Sequence, residues 1–309
     1  MSVQPIITCA FTLFNCEDTI LRAIDSCLNQ DYPYKELLFV DDCATDSTVD
    51  IVRAFLDNKH LNSRLICLSQ NMGVAYARNV LIDKCNTEYI AFFDDDDESH
   101  PMRLNLQIDH LENYKSKNNI DNVEALCYTD RVLIKDDQSQ LIDSMEIDCS
   151  RADTYIAITS LLSSNSLPYF CKPGSTATCT LFSKTSTLRR IGGFDYNFRR
   201  FEDLDLAIRA INLGISITTV NRCLVKQFFT NTSDKTNAYR YNISLIKKYQ
   251  AYYRTQREFN YAILYVRLKN KIIHSSSDSL ITISVQLLFF YPHRILKHLL
   301  IIFYQKLAF

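Results

Sequence analysis

The sequence contains no tryptophan, five glycines and six prolines in 309 residues. So little Gly and Pro excludes a collagen-like or low-complexity chain. None of the eleven cysteines falls in a CxxC pair, which excludes a zinc ribbon and a thioredoxin-type motif. Cys9 and Cys67, set in apolar runs, read as reduced core thiols of a cytoplasmic protein. No basic-then-apolar leader precedes the first apolar run, so no secretory signal is expected. The apolar runs near the C-terminus are too short and too charged for the ~20 residues of a spanning helix. A net charge of −1 argues against a protein that coats nucleic acid over its whole surface.

What is present is a globular composition, 47% hydrophobic and 22% charged, with a hidden charge split. Residues 1–234 hold 22 Lys/Arg and 33 Asp/Glu, a net of −11. Residues 235–309 hold 12 Lys/Arg and only Glu258 and Asp278, a net of +10. An acidic body over residues 1–232 and a basic helical extension over 233–309 are expected to do different jobs.

The first hundred residues alternate. Ile6–Ala10, Leu37–Val40, Leu65–Leu68 and Tyr89–Phe93 are apolar runs of strand length. Glu17–Leu28, Thr48–Leu56 and Val74–Ile82 carry apolar residues at helical spacing. This predicts an α/β fold with a mostly parallel sheet flanked by helices. Ligands of such sheets bind beyond the carboxyl ends of the strands. Further on, Met102–Tyr114 reads as a helix and Ala125–Ile134 contains a strand. Lys135–Gln140 reads as a polar turn, Thr178–Phe182 as a strand and Gly192–Asp195 as a turn. Asp203–Leu213 reads as a helix that Gly214 can cap, and after Val225 the pattern is helical and basic.

Two of the predicted strands deliver acids to one sheet edge. Tyr89–Phe93 runs into Asp94, Asp95, Asp96 and Asp97. Packed carboxylates repel unless a cation or bound protons relieve them, and oxygen ligands favour Mg²⁺ or Mn²⁺. The bland alternative is a solvated acidic turn. Phe39-Val40 runs into Asp41 and Asp42, and Asp46 or Ser47 is placed to cap the next helix. Gln70–Asn79 is a Gly73-containing turn that opens a helix with Arg78 about one turn in, where its charge can reach acids or phosphates. Gly192-Gly193-Phe194-Asp195 precedes Glu202-Asp203-Leu204-Asp205. Those acids suit a first helical turn for dipole reasons alone, and they also suit a general base.

In order, strand–DD, N-x-G-x-x-x-A-R-N, strand–DDDD and GGFD…ED-x-D resemble the family 2 glycosyltransferases, inverting enzymes with the GT-A fold. The resemblance runs from about Ile6 to Ile211. It implies that the loop from Thr12 through Phe14 and Asn15 to Glu17 contacts a nucleotide, although Thr-Leu-Phe-Asn stands where the family often has Pro-x-Tyr-Asn. It implies that Asp42, with Asp41 beside it, reads the base. Gly73 and Arg78 fall in the donor-side turn and helix. Asp94 and Asp96 match the D-x-D pair, Asp94 near ribose and metal and Asp96 on metal, with Asp95 between them. Asp203, preceded by Glu202, matches the general base. The implied reaction moves a sugar from a nucleoside-diphosphate sugar, UDP being favoured, to a hydroxyl of a glycan or lipid-linked glycan in bacterial surface-polysaccharide synthesis, with Mn²⁺ or Mg²⁺.

Two other classes remain. A nucleotidyltransferase would show a Gly-rich, basic N-terminal loop, whereas Ala10–Glu17 has no Gly, Lys or Arg. A non-catalytic nucleotide-sugar-binding module would share the fold. With no tryptophan, sugar stacking falls to Tyr or Phe, Tyr169 and Phe170 being candidates and loop packing their other reading.

The tail is aromatic and basic, and Leu280–Phe309 contains no acid. Basic heads beside apolar faces suit a helix lying on an anionic membrane, expected here at the cytoplasmic face of the inner membrane. The alternative is packing on the protein's own body or on a second copy. No nucleic-acid reader motif accompanies the charge. Oligomerisation is left open.

Overall fold

The computed structural model describes residues 4–57, 62–118, 124–151, 153–163, 171–229, 235–273 and 280–292. Tyr169, Phe170 and the residues from 293 onward lie outside them. The chain begins β1 (Ile7–Leu13), α1 (Ile20–Leu28), β2 (Lys35–Asp41), α2 (Thr48–Asp57), β3 (Ser63–Cys67), α3 (Val74–Lys84), β4 (Tyr89–Asp94). It continues β5 (Glu98–Ser99), α4 (Arg103–Asn118), β6 (Ala125–Lys135), β7 (Gln138–Ile142), β8 (Glu146–Ile147), α5 (Thr154–Ser163), β9 (Cys171–Lys172) and β10 (Phe182–Lys184). Last come α6 (Thr185–Ile191), α7 (Glu202–Asn212), β11 (Ser216–Phe228), α8 (Lys235–Lys248), α9 (Gln256–Ile273) and α10 (Leu280–Phe290). Two compact units result, one of Met1–Ala157 with Leu167–Asn231 and one of Ile158–Ser166 with Thr232–Phe309.

In the first unit the sheet order is β3-β2-β1-β4-β10-β6-β11-β8-β9. The strands β1 to β4 are parallel, as the strand–helix alternation predicts. β10 is antiparallel to both β4 and β6, so β6 and β11 run in the direction of β4. β1 is buried along nearly its whole length, which is why it reads as one apolar run. At its centre Phe11 stacks on Phe39 and Phe93, with ring centroids 5.0 and 5.2 Å away. This ladder lines up the carboxyl ends of β1, β2 and β4 at one edge.

The structure departs from the sequence reading in three places, and it bears out but narrows a fourth, the Lys135–Gln140 turn. Thr178–Thr180 is a 3₁₀ turn, and the strand starts only at Phe182. Thr180 donates its hydroxyl to the Ala177 carbonyl, a local bond that competes with strand pairing. Lys135–Gln140 is the tip of a hairpin, with Asp136 at φ 51° and β7 under way by Gln138. Residues around Val225 belong to the thirteen-residue β11, and the basic helix starts at Lys235. An irregularity between Val220 and Cys223, opposite Thr129 and Asp130, breaks the alternation that would have revealed β11. Cys9 is buried as expected, but Cys67 is exposed at the end of β3, the edge strand.

The Gly192-Gly193 turn is fixed by close approach. Gly193 has φ +65°, and a Cβ there would lie 2.3 Å from Asn79 Oδ1. Arg209 donates to the carbonyls of Ile191 and Gly193, holding the turn from the other side. Gly193→Ala is expected to lower stability by about 2 kcal/mol or more, from steric overlap plus positive-φ strain. Urea unfolding checks this, with Gly214→Ala, which has open space around its Cβ position, as the milder comparison.

Candidate active site

Three loops meet at the carboxyl edge and are tied to one another by carboxylate–amide bonds. After β1, the Phe14 N–H donates to Asp95 Oδ2 at 3.2 Å. Asn15 Oδ1 accepts from the Thr45 N–H at 2.8 Å. Glu17 and Asp46 exchange caps: Asp46 Oδ2 accepts from the Glu17 N–H, and Glu17 Oε2 accepts from the Ser47 N–H. Asp46 Oδ1 also accepts from the Thr48 N–H, so Asp46 is the helix cap anticipated for α2. Thr12 sits at the register position between Val40 and Asp94.

After β2, Asp41 is buried and accepts from the Ala44 N–H at 3.0 Å. Burial pushes its carboxyl above the usual range. Asp42, also buried, grips the turn before α3. Its Oδ1 accepts from the Met72 N–H at 2.7 Å and its Oδ2 from the Gly73 N–H at 2.8 Å. Gly73 has φ +91°, a conformation that suits glycine.

One turn into α3, Arg78 is buried between two acid clusters. It donates to Asp94 Oδ1 at 3.3 Å and to Glu202 Oε1 at 2.8 Å. Asn79, its neighbour, makes two 2.7 Å bonds to the backbone of Phe194, accepting from the N–H and donating to the carbonyl. Helix α3 thus reaches Asp42, Asp94, Glu202 and the GGFD turn together.

Asp203 follows Glu202 in the first turn of α7. The preceding residue, Phe201, is left-handed at φ 67°, a strained conformation for a non-glycine. Burial, with Glu202 beside it, pushes the Asp203 carboxyl up to about 7, against the pull of the Leu204 N–H, Arg78 and Arg131. A carboxylate with that proton affinity is poised to take a proton near neutral pH. The fully buried Tyr128 hydroxyl has no hydrogen-bond partner among the described residues and lies within electrostatic reach of Asp203.

The acid run after β4 divides by environment. Burial, with Asp96 and Asp94 adding repulsion, lifts Asp95 to about 7. Burial, with Asp94 and Asp96, lifts Asp97 to about 8. Asp97 accepts from the Phe228 N–H through Oδ1, while its buried Oδ2 has no hydrogen-bond partner among the described residues. One oxygen each of Asp94 and Asp97 and the Cys179 sulfur lie within 4.8 Å of one another. Among the described residues this is the group suited to a cation, and Asp96 is not a member of it. Its carboxylates fit a hard divalent ion, and the orphaned Asp97 oxygen is what such an ion would satisfy. The Asp96 carbonyl accepts from Arg22 at 2.5 Å.

Nothing in the local sequence places Cys179 in this group, Tyr128 and Arg131 near Asp203, or Asn79 on the backbone of Phe194. Each pairing joins elements far apart in the chain. The ordered motifs N-x-G-x-x-x-A-R-N and GGFD contain both ends of the last one, and that is the one signal available for it.

Residues 8–160 match the family described as Glycosyl transferase family 2. The chain carries a family 2 glycosyltransferase domain. Over 104 residues, 33% of the chain and 39% of the relative, it is 38% identical to the UDP-Glc:alpha-D-GlcNAc-diphosphoundecaprenol beta-1,3-glucosyltransferase WfaP of Escherichia coli. Over 129 residues, 42% of the chain and 36% of the relative, it is 35% identical to the succinoglycan biosynthesis protein ExoO of Rhizobium meliloti. The chain therefore spans about two fifths of the length of these curated relatives. Among solved structures, S. aureus TarS 1-349 in complex with UDP-GlcNAc superposes with a TM-score of 0.58 at 16% identity, covering 89% of this chain and 74% of that one. The family 2 domain thus has the GT-A fold, a mostly parallel sheet flanked by helices.

Arg78→Met is expected to destabilise the domain by ~3 kcal/mol at neutral pH, because two carboxylates lose a buried counter-charge. Urea melts of both proteins at pH 7 check the magnitude.

Proposed function

We propose that the chain is an inverting glycosyltransferase that moves a sugar from a nucleoside-diphosphate donor, UDP favoured, to a hydroxyl of a glycan or lipid-linked glycan in bacterial polysaccharide synthesis. Residues 1–232 form the catalytic domain of this proposal and 233–309 its extension, with the chain held at an anionic membrane surface. The observation that carries the reading is Asp203, a carboxylate with near-neutral proton affinity joined through Glu202 and Arg78 to Asp94 at the sheet edge. The similarity to WfaP, whose name carries a UDP-glucose donor and a lipid-diphosphate acceptor, supports the donor and acceptor classes.

In this proposal the loop from Thr12 to Glu17, with Phe14 exposed, and the Asp41–Asp42 and Gly73 turn hold the nucleotide. Asp42 keeps free lone pairs for a base N–H while gripping Met72 and Gly73. Asp203 takes the proton of the acceptor hydroxyl as that oxygen bonds to the anomeric carbon. The bond from that carbon to the diphosphate oxygen breaks on the opposite face, so the configuration inverts without a covalent enzyme intermediate. Arg78 keeps Asp94 and Glu202 from repelling each other at the point where donor and acceptor meet. Asp94 would hold Mn²⁺ or Mg²⁺ together with Asp96, as the D-x-D resemblance implies, although the geometry offers Asp97 in place of Asp96; the ion would supply positive charge toward the departing diphosphate.

Asp203→Asn is expected to lose about 10²–10⁴-fold of transfer rate while keeping donor affinity. In the unaltered protein, transfer should rise with pH toward a plateau above about 7, since only the ionised carboxylate accepts a proton. The same raised proton affinity costs stability as pH rises from the unfolded carboxylate value toward 7. Asp203→Asn should therefore gain stability at pH 7.5, on the order of 1 kcal/mol or about 2–4 °C. Near-unaltered turnover in that variant would refute the base assignment.

For the metal, calorimetric donor affinity is expected to depend on Mn²⁺ in the unaltered chain and to lose that dependence in Asp96→Ala. Loss in Asp97→Asn but not in Asp96→Ala would move the ion to the group containing Cys179.

A further inference from the structure

Among its described residues the second unit displays an apolar ridge that their mutual packing does not use. One face of α10 is spent on α9: Leu287 is fully buried with Tyr261 and Tyr265, and Ile283 and Tyr291 pack around them. The neighbouring positions point out. Leu288 is 49% exposed, Phe289 79% and Phe290 52%. The eleven residues of α10 contain no charge, and Thr282, Ser284 and Gln286 are the only polar ones. A helix apolar on two faces needs a second apolar medium.

The surrounding charge identifies that medium. Arg257 donates to the Phe290 carbonyl at the end of α10, and its guanidinium lies 5.4 Å from the centre of the Tyr291 ring. The Tyr291 hydroxyl donates to the Arg257 carbonyl at 2.9 Å. A guanidinium is thus fixed beside exposed phenylalanines. Arg240, Lys247, Lys248, Arg254 and Arg267 are also exposed on α8, α9 and the turn between them, while Glu258 is the one acid among the described residues of 235–292. At 1.5 Å per residue α10 is about 16 Å long, roughly half a hydrocarbon core. No helix among the described residues is long and apolar enough to cross a membrane. The ridge has the length to lie in a bilayer surface, with cations at headgroup level and rings below them.

We propose that the Leu288–Phe290 ridge of α10, flanked by Arg257, is the surface through which this protein docks on anionic lipid bilayers. The biological purpose of docking rests on the transferase reading above, since a lipid-linked acceptor would be presented there; the chemistry of the surface does not.

The test uses the full chain and vesicles of phosphatidylglycerol or phosphatidylcholine. Flotation is expected to recover the unaltered protein with phosphatidylglycerol vesicles and far less with phosphatidylcholine. Phe289→Ser combined with Phe290→Ser should weaken phosphatidylglycerol binding about tenfold or more, since two large side chains lose their burial. Because the chain has no tryptophan, Phe289→Trp introduces a single reporter. Its emission should move to shorter wavelength on phosphatidylglycerol vesicles and be quenched by labelled acyl chains. Unchanged vesicle affinity in the double variant, or an unmoved and unquenched reporter, overturns the proposal. So does a dimer in solution that the double variant splits while vesicle binding stays absent, which would assign the ridge to a second copy. Donor hydrolysis in lipid-free buffer separates the two readings. If no nucleotide sugar is turned over yet the double variant still loses vesicle binding, the transferase reading falls and the docking surface stands.

Discussion

A buried cation, Arg78, ties the acidic edge of the first unit together. Arg78 bonds to Asp94, sixteen residues away, and to Glu202, 124 residues away. Without that charge the end of β4 and the start of α7 would lose the cation that bonds directly to both, and their like charges would repel more strongly. Its position is fixed from several sides. The Phe194 ring lies 5.5 Å from its guanidinium carbon, and Asn79 locks the backbone of that same Phe194. The GGFD turn and the pair of acids that follows it are therefore built around an arginine contributed from the first half of the chain.

The edge is also held under strain. Asn15, Cys43 and Phe201 all have positive φ, and each sits in a loop or helix start at the candidate site. Such residues cost about 1–3 kcal/mol apiece and persist where their surroundings over-determine them. Here the surroundings are the Asn15–Thr45 bond, the Glu17–Asp46 exchange and the grip of Asp42 on two amides. A site fixed before its ligand arrives spends little free energy on rearrangement during reaction.

The strand–helix alternation from β1 to β4 was legible because β1, β2 and β4 are buried along nearly their whole length and the helices between them carry apolar residues at helical spacing. The acid clusters were legible because they sit where buried strands stop. What stayed hidden depends on contacts between distant segments. β11 was missed because the irregularity around Asn221 and Arg222 destroys its period, and a helix was expected where the strand continues. Thr178–Phe182 alternates like a strand, but a threonine hydroxyl bonds the local backbone and turns the chain. Cys179 offers nothing in its own neighbourhood to indicate that its sulfur lies beside Asp94 and Asp97. The D-x-D spacing directs attention to Asp96, whereas burial and an orphaned oxygen single out Asp97.

Helix α3 rests on β1 and β2 through a buried face that includes Ala75 and Ala77 beside Arg78. Around Arg78 that face is lined by methyl groups, the thinnest spacers available to a chiral residue, with the bulkier Leu81 and Ile82 further along. A branched side chain at Ala77 would act as a shim, raising the helix and lifting the guanidinium off both of its partners. Bulk, with no alteration of charge anywhere in the chain, would be enough to unseat the electrostatics of the site.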